Sequence, residues 1–207
     1  MKYLYRIVNI VLSALFFPAV IFLDLISFKA STSFSKYGLG ESISLKRIID
    51  IFTGKDPLSS LVESDKSFSW PTGLDPLKGR LIACAAALAV AALAAIFIIV
   101  FSICSSKRIP VIAAAGVGLA ATIVMTACFN SAAGDVMDGT VNLVKAIAGS
   151  GIISSIIGGV VSVDSLTLGG FRNGLLIIFI VLIIWSLSYI LVDVGDKPQA
   201  AGKAKKR

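Results

Sequence analysis

The sequence predicts an all-α membrane protein: a four-helix transmembrane bundle with short amphipathic helices in two extracytoplasmic loops. Three observations carry that reading. Four apolar runs, at about 3–26, 81–104, 109–129 and 174–192, each match the ~20 residues a helix needs to cross a ~30 Å hydrocarbon core. The chain is 57% hydrophobic with a mean hydropathy of +0.93, well above the roughly 45–50% apolar content of soluble domains. The 19 Lys and Arg residues are distributed unevenly around the runs. Inside lipid every backbone N–H and C=O must pair within the protein, which makes helices of the runs.

The charges set the expected orientation. Lys2, Arg6, Lys107, Arg108, Lys197, Lys203, Lys205, Lys206 and Arg207 fall on one side of a chain that crosses four times, in short segments beside the helix ends. The other cations are spread along two long exterior segments, 28–80 and 131–172. Cation density close to the spans orients a membrane protein, so both termini are expected in the cytoplasm, with the spans in the cell membrane. The net charge of +7 is thereby absorbed by topology, and nucleic acid is not an expected partner. One transmembrane domain, 1–195, is followed by a basic tail, 196–207.

The first run begins behind the short positive segment Met1–Arg6, as a secretory signal does. It exceeds a roughly 7–15-residue signal core, and no A-x-A-like site closes it, so a retained span is expected. Pro18 should kink this helix. Asp24, about a turn from its outer end, reads as a helix-end charge. The exterior segment 28–80 starts Ser-rich and then turns amphipathic. Leu45, Ile48, Ile49 and Phe52 recur at helical spacing opposite Lys46, Arg47 and Asp50, with Ser44 as the N-cap and Gly54 past the end. Asp56-Pro57 opens a further short turn of helix, and Trp70 supplies an aromatic anchor at headgroup level.

Asp75-Pro76 gives the start signal of the second span, which is crowded with alanine. The third span carries Ala114, Gly118 and Thr122 four residues apart. Between lipid-solvated helices there is no hydrophobic drive to associate, so small residues that allow close backbone approach carry the packing. With Ser105-Ser106-Lys107-Arg108 as the whole connection and Pro110 in the first turn that follows, spans two and three should form a tight antiparallel hairpin. The fourth span, dominated by Leu, Ile and Val, reads as a more lipid-exposed wall. The tail residues Lys203, Lys205, Lys206 and Arg207 suit anionic lipid headgroups or a plain stop-transfer role.

Segment 131–172 is read as two short helices lying on, or partly re-entering, the outer leaflet. The pairs Ile152-Ile153, Ile156-Ile157 and Val160-Val161 alternate with small residues, and Ser154 and Gly158 have the small-xxx-small spacing. Region 140–163 is long enough to be interfacial, re-entrant or a fifth span. Gly149-Ser150-Gly151 interrupts it, and a fifth crossing would put the basic tail outside.

Little chemistry is visible. The chain has no histidine, which removes imidazole catalysis and the commonest zinc ligand. No P-loop or dinucleotide fingerprint is present, and no cofactor is expected. Asp135 and Asp138, with Asn130 nearby, are the only weak candidates for a hard-cation site. Tyr189 and Asp193 are spaced as a local hydrogen-bonding pair. Cys84, Cys104 and Cys128 lie in or at the edge of spans and read as free thiols, although Cys84 and Cys128 sit at similar depth and a bridge between them stays open.

The arrangement of four spans, internal termini and two exterior loops resembles the topology of claudins and similar tetraspans. The tryptophan and cysteine pair of the claudin first loop is absent, since Trp70 has no cysteine near it, and the resemblance implies no site. The expected function is that of a non-enzymatic tetraspan: a scaffold, an adhesion element or an accessory subunit of a membrane complex. Its partners would be the bilayer and other membrane subunits or further copies of itself. The alternative is a subunit of an oligomeric channel or transporter, against which no span shows a clear polar stripe.

Overall fold

The first apolar run folds as two helices, α1 (Lys2–Ala14) and α2 (Phe16–Phe22), separated at Leu15. The break follows from Pro18, which has no N–H to return to the carbonyl of Ala14. Bonds from the Leu15 and Ala19 amides to Val11 O and Leu15 O, each 3.1 Å, carry the chain across it. This computed structural model describes residues 2–32, 35–47, 75–105, 107–139 and 161–195. The remaining described elements are β1 (Asp24–Thr32), β2 (Ser35–Ser44), a helical turn at 45–47, α3 (Asp75–Cys104), α4 (Ile109–Met137), β3 (Val161–Leu168) and α5 (Gly170–Gly195). The protein is mostly helical. Four stretches are long and apolar enough to cross a membrane: Tyr3–Phe22, Asp75–Cys104, Ile109–Met137 and Gly170–Ile190.

The helices α3 and α4 are longer than their apolar runs. At 30 and 29 residues they extend roughly 45 Å, beyond a ~30 Å hydrocarbon core. The extra turns, 75–80 and 130–137, lie at one end of the bundle and carry Asp75, Lys78, Arg80, Asn130 and Asp135. At the other end Pro110 sits in the first turn of α4, as its spacing predicts, just after the short connection from α3. Lys107 N–H closes that connection on Ser105 Oγ at 3.2 Å.

The sheet corrects the sequence reading most. The first helix stops at Phe22, and Leu23 turns to extended backbone (φ −78°, ψ 153°). Asp24, Leu25 and Ile26 therefore open a strand; the expected helix to 26, with Asp24 as its end charge, is not formed. β1 is the centre of a three-stranded antiparallel sheet of order β2-β1-β3. Its partner β3 also replaces part of the short helices expected in 131–172, while α4 takes 131–137 and α5 begins at Gly170. Residues 140–160 lie outside the described residues, so Ser154 and Gly158 are not placed.

The strand signal is present in the sequence in broken form. In Val161–Leu168, valines stand at 161 and 163 and leucines at 166 and 168, a period of two that slips by one residue at Asp164-Ser165. The register places Ala30 against Val163 and Lys29 against Ser165. Asp164 is thus the extra residue of a β-bulge, and the slip in the pattern is the bulge itself. In β2, Tyr37, Leu39 and Ile43 alternate in the same way within what composition alone marks as a Ser-rich loop.

Packing also assigns the small residues differently. On α3 the buried stripe is Ala87, Ala91, Ala94, Ala95, Ile98 and Ser102. It faces a stripe of α4 that includes Val111, Ala115, Ala121 and Met125, so the antiparallel hairpin forms. Gly118 serves another helix. A Cβ there would lie 2.3 Å from Cε1 of Phe179, on α5, so Gly118 is the notch that receives that ring. Thr122, fully buried, donates from Oγ1 to Gly118 O at 2.9 Å, and Ala114 packs at the edge of the same core.

Accordingly α5 is no uniform lipid-facing wall. Phe171, Leu175, Phe179, Leu182 and Ser186 form a buried stripe along it. Its other face exposes Ile177, Ile180, Ile184 and Leu187. Because both faces are bulky and apolar, composition cannot tell one from the other. Similar belts on α1, α3 and α4 expose Ile7, Leu93, Val100 and Ile123. Apolar surface of that extent suits a hydrocarbon solvent better than water.

Candidate functional site

At the sheet end, two distant parts of the chain are joined by backbone. Gly169, the single residue between β3 and α5, donates its N–H to Leu25 O at 2.8 Å. A Cβ on it would stand 2.1 Å from Asp24 O, so only glycine lets α5 start this close to β1. Nearby, Ser44 Oγ accepts the Arg47 N–H at 3.3 Å, which is the N-cap expected from sequence. The rest of that amphipathic helix, with the turn after Asp56-Pro57 and the anchor Trp70, falls outside the described residues.

Asp135, a weak candidate for a hard-cation site, pairs with a cation of the protein itself. Its Oδ2 pairs with Arg80 Nη1, which also donates to Ser131 O at 2.9 Å. The pair joins the extended turns of α3 and α4 above a small apolar cluster of Leu77, Ala132 and Val136, edged by Leu81 and Leu166. Asp138 closes α4, with its N–H bonded to Gly134 O at 2.8 Å and its side chain exposed. Among the described residues no group of three or more His, Cys, Asp or Glu side chains is placed to hold a metal ion. Cys84, Cys104 and Cys128 are free thiols in this structure, and the Cys84 thiol donates to Met125 O at 3.5 Å.

The opposite end, where α3 turns into α4, holds a cluster that sequence reasoning did not assemble. The buried face of α1 is Tyr5, Asn9 and Ser13, all three polar, and Phe16 continues it on α2. This is the polar stripe that no span was expected to carry. Asn9 and Ser13 stand out as polar residues in an apolar run. The signal that would have found the stripe is the step of four from Tyr5 to Asn9 and from Asn9 to Ser13. α1 packs against α3 and α5, which bring the buried Ser102 and Ser186 to the same core.

Aromatic rings and a guanidinium organise this end. Tyr5 OH donates to Ser186 Oγ at 3.2 Å, and its ring lies 5.1 Å from that of Tyr189. Arg108, from the short connection, sits over both rings, at 5.0 Å from Tyr189 and 6.0 Å from Tyr5. It also donates from Nη1 to Tyr189 O at 3.0 Å. Trp185 stacks at a tilt on Tyr189, 6.0 Å away. Both amide atoms of Asn9, the hydroxyls of Ser13, Ser102 and Tyr189, and Trp185 Nε1 are buried without a hydrogen-bond partner among the described residues. The side chain of Asp193, the expected partner of Tyr189, lies outside the described residues.

Chemically, the cluster offers neutral hydroxyl and amide groups beside stacked rings. With Arg108 it places a fixed positive charge next to hydroxyl and amide groups that can donate or accept hydrogen bonds. The basic tail residues Lys203, Lys205, Lys206 and Arg207 lie outside the described residues. No protein-family model, no curated protein and no solved structure matches this chain.

Proposed function

We propose that the protein is a four-span integral membrane protein, with both termini cytoplasmic, that acts without catalysis through the composite sheet on its outer side. It serves as a scaffold, adhesion element or accessory subunit. The observation that carries this reading is the sheet. Strands 24–32, 35–44 and 161–168, drawn from the end of the first expected span and from two expected exterior loops, form one β-structure fixed to two spans through Leu23 and Gly169. A hydrogen-bonded surface built from both loops suits recognition of another protein. Lys107 and Arg108 at the opposite end support a cytoplasmic placement of that end.

The test is affinity capture of the tagged full chain from its native membrane, beside the Gly169→Ala variant. A stoichiometric partner, or further copies of the chain, retained by the wild type and lost by the variant supports the reading. Selective ion conductance of the purified protein in liposomes would defeat it. That outcome belongs to the second reading, a channel or transporter subunit, which is favoured by the buried polar stripe Tyr5, Asn9 and Ser13.

A further inference from the structure

The break at Leu15 has a consequence on the surface of the bundle. α1 packs closely on α3, but α2 turns mainly toward α5 and leaves α3. The gap is a groove of about 410 Å³ lined by Phe16, Phe17, Val20 and Ile21 on one wall and by alanines and Leu88 of α3 on the other. Ala85, Ala89 and Ala92 are small where Leu88 is large, so α3 supplies a furrow. The groove follows α2 and α3 for roughly 10 Å, about two thirds of one leaflet of the hydrocarbon core. Leu45, from the chain just beyond β2, closes it at the sheet end. Next to that closure the Lys46 ammonium lies 5.9 Å from the Phe22 ring centroid, on an exposed side chain.

We propose that this groove binds one acyl chain of an anionic phospholipid whose phosphate is met by Lys46. The walls are almost wholly apolar and lie within the stretches suited to hydrocarbon, so the guest is a hydrocarbon chain. The closure argues against a helix. A helix about 10–12 Å across that ran through the leaflet would meet Leu45, whereas a flexible chain ends there and turns its head outward. The charge at the mouth selects the head. Lys46 stands there beside the Phe22 ring, and Asp24, in register with Ser44 one residue before Leu45, is the nearest acid among the described strand partners. A guest with a phosphodiester and no compensating amine gains from that balance.

The experiment is native mass spectrometry of the full chain, released in mild detergent after exchange into vesicles of phosphatidylcholine with or without phosphatidylglycerol. The wild type should retain one lipid, with phosphatidylglycerol favoured about fivefold, the preference one cation near a bilayer surface supports. Ala89→Trp, at an exposed position in the furrow, should lose the retained lipid of either kind; Ala85→Leu provides the same test with a smaller side chain. Lys46→Glu should keep a lipid and lose the preference. Circular dichroism and monodispersity establish that each variant is folded. Retention by both folded furrow variants at the wild-type level would overturn the groove as the site, and an unchanged preference in Lys46→Glu would overturn the headgroup assignment. Dissociation of a wild-type oligomer by Ala89→Trp, with no retained lipid in the wild type, would show a second copy in the groove and overturn the proposal.

Discussion

The two ends of this bundle hold polar groups in opposite ways. At the sheet end the polar groups that pack are paired: Gly169 N–H to Leu25 O, Arg80 to Asp135 and Ser131, and the Arg47 amide to Ser44. At the hairpin end Asn9, Ser13 and Ser102 are buried with no partner among the described residues. Burying an amide or hydroxyl without a hydrogen bond costs on the order of 1–3 kcal/mol. The sheet end is therefore fastened by backbone and charge, while the hairpin end, beside its Tyr5–Ser186 and Arg108–Tyr189 bonds, also carries unpaired polar groups at a cost to stability. Such a cost points to polar function more readily than to architecture.

Breaking the middle of the bundle should have the largest effect. Gly118→Leu drives a side chain into the Phe179 ring, and we expect loss of the folded monomer in detergent, read by size-exclusion and thermal unfolding. Gly118→Ala should cost about 1–3 kcal/mol, most of it recovered in combination with Phe179→Leu. If Gly118 instead serves the hairpin with α3, the second substitution will recover nothing.

The next test strikes the sheet end alone. Gly169→Ala should detach β3 from β1 and raise amide exchange over 161–168 by at least tenfold, with protection in α3 and α4 unchanged. Uniform loss of protection would show that the sheet and the helices unfold as one.

Asn9→Leu tests the hairpin end, and its sign is opposite. Removing unpartnered buried polar atoms should raise stability by about 1 kcal/mol in a thermal melt. A loss of stability would mean that Asn9 is hydrogen-bonded in the folded protein. If the same variant abolished a conductance in liposomes, the channel reading would gain what the scaffold reading lost.

The smallest effect is expected at the ion pair. The Arg80 and Asp135 side chains are 38% and 32% exposed, so screening limits Arg80→Met to less than about 1 kcal/mol. The difference should shrink in molar salt, and the charge-swapped double variant should restore it.

What sequence could reveal here depended on the distance between partners. Asp75-Pro76, Pro110 and the Ser44 cap act on their own helical turns, and each is found where its local chemistry places it. The hairpin of α3 and α4 was legible because so few residues connect them. The partner of Gly118 was not, because Phe179 lies on a helix far along the chain, and a small residue does not name the ring that fills it. The strands failed for a related reason: their alternation is short and interrupted by a bulge at Asp164, and β1 continues an apolar run without a break in composition.

By itself, then, the sequence determined where the apolar helices lie, how many are long enough to cross a membrane, and the local signals at Asp75-Pro76 and Pro110 that begin two of them. Those properties follow from hydration and from bonds a few residues apart. Only the tertiary structure decided that Asp24–Thr32 leaves the helix to pair with residues more than a hundred positions away, and that one face of α5 is core. It also decided that the polar side chains of α1 point inward together. Each of these depends on which surfaces meet, and an apolar residue has the same composition whether lipid or another helix covers it.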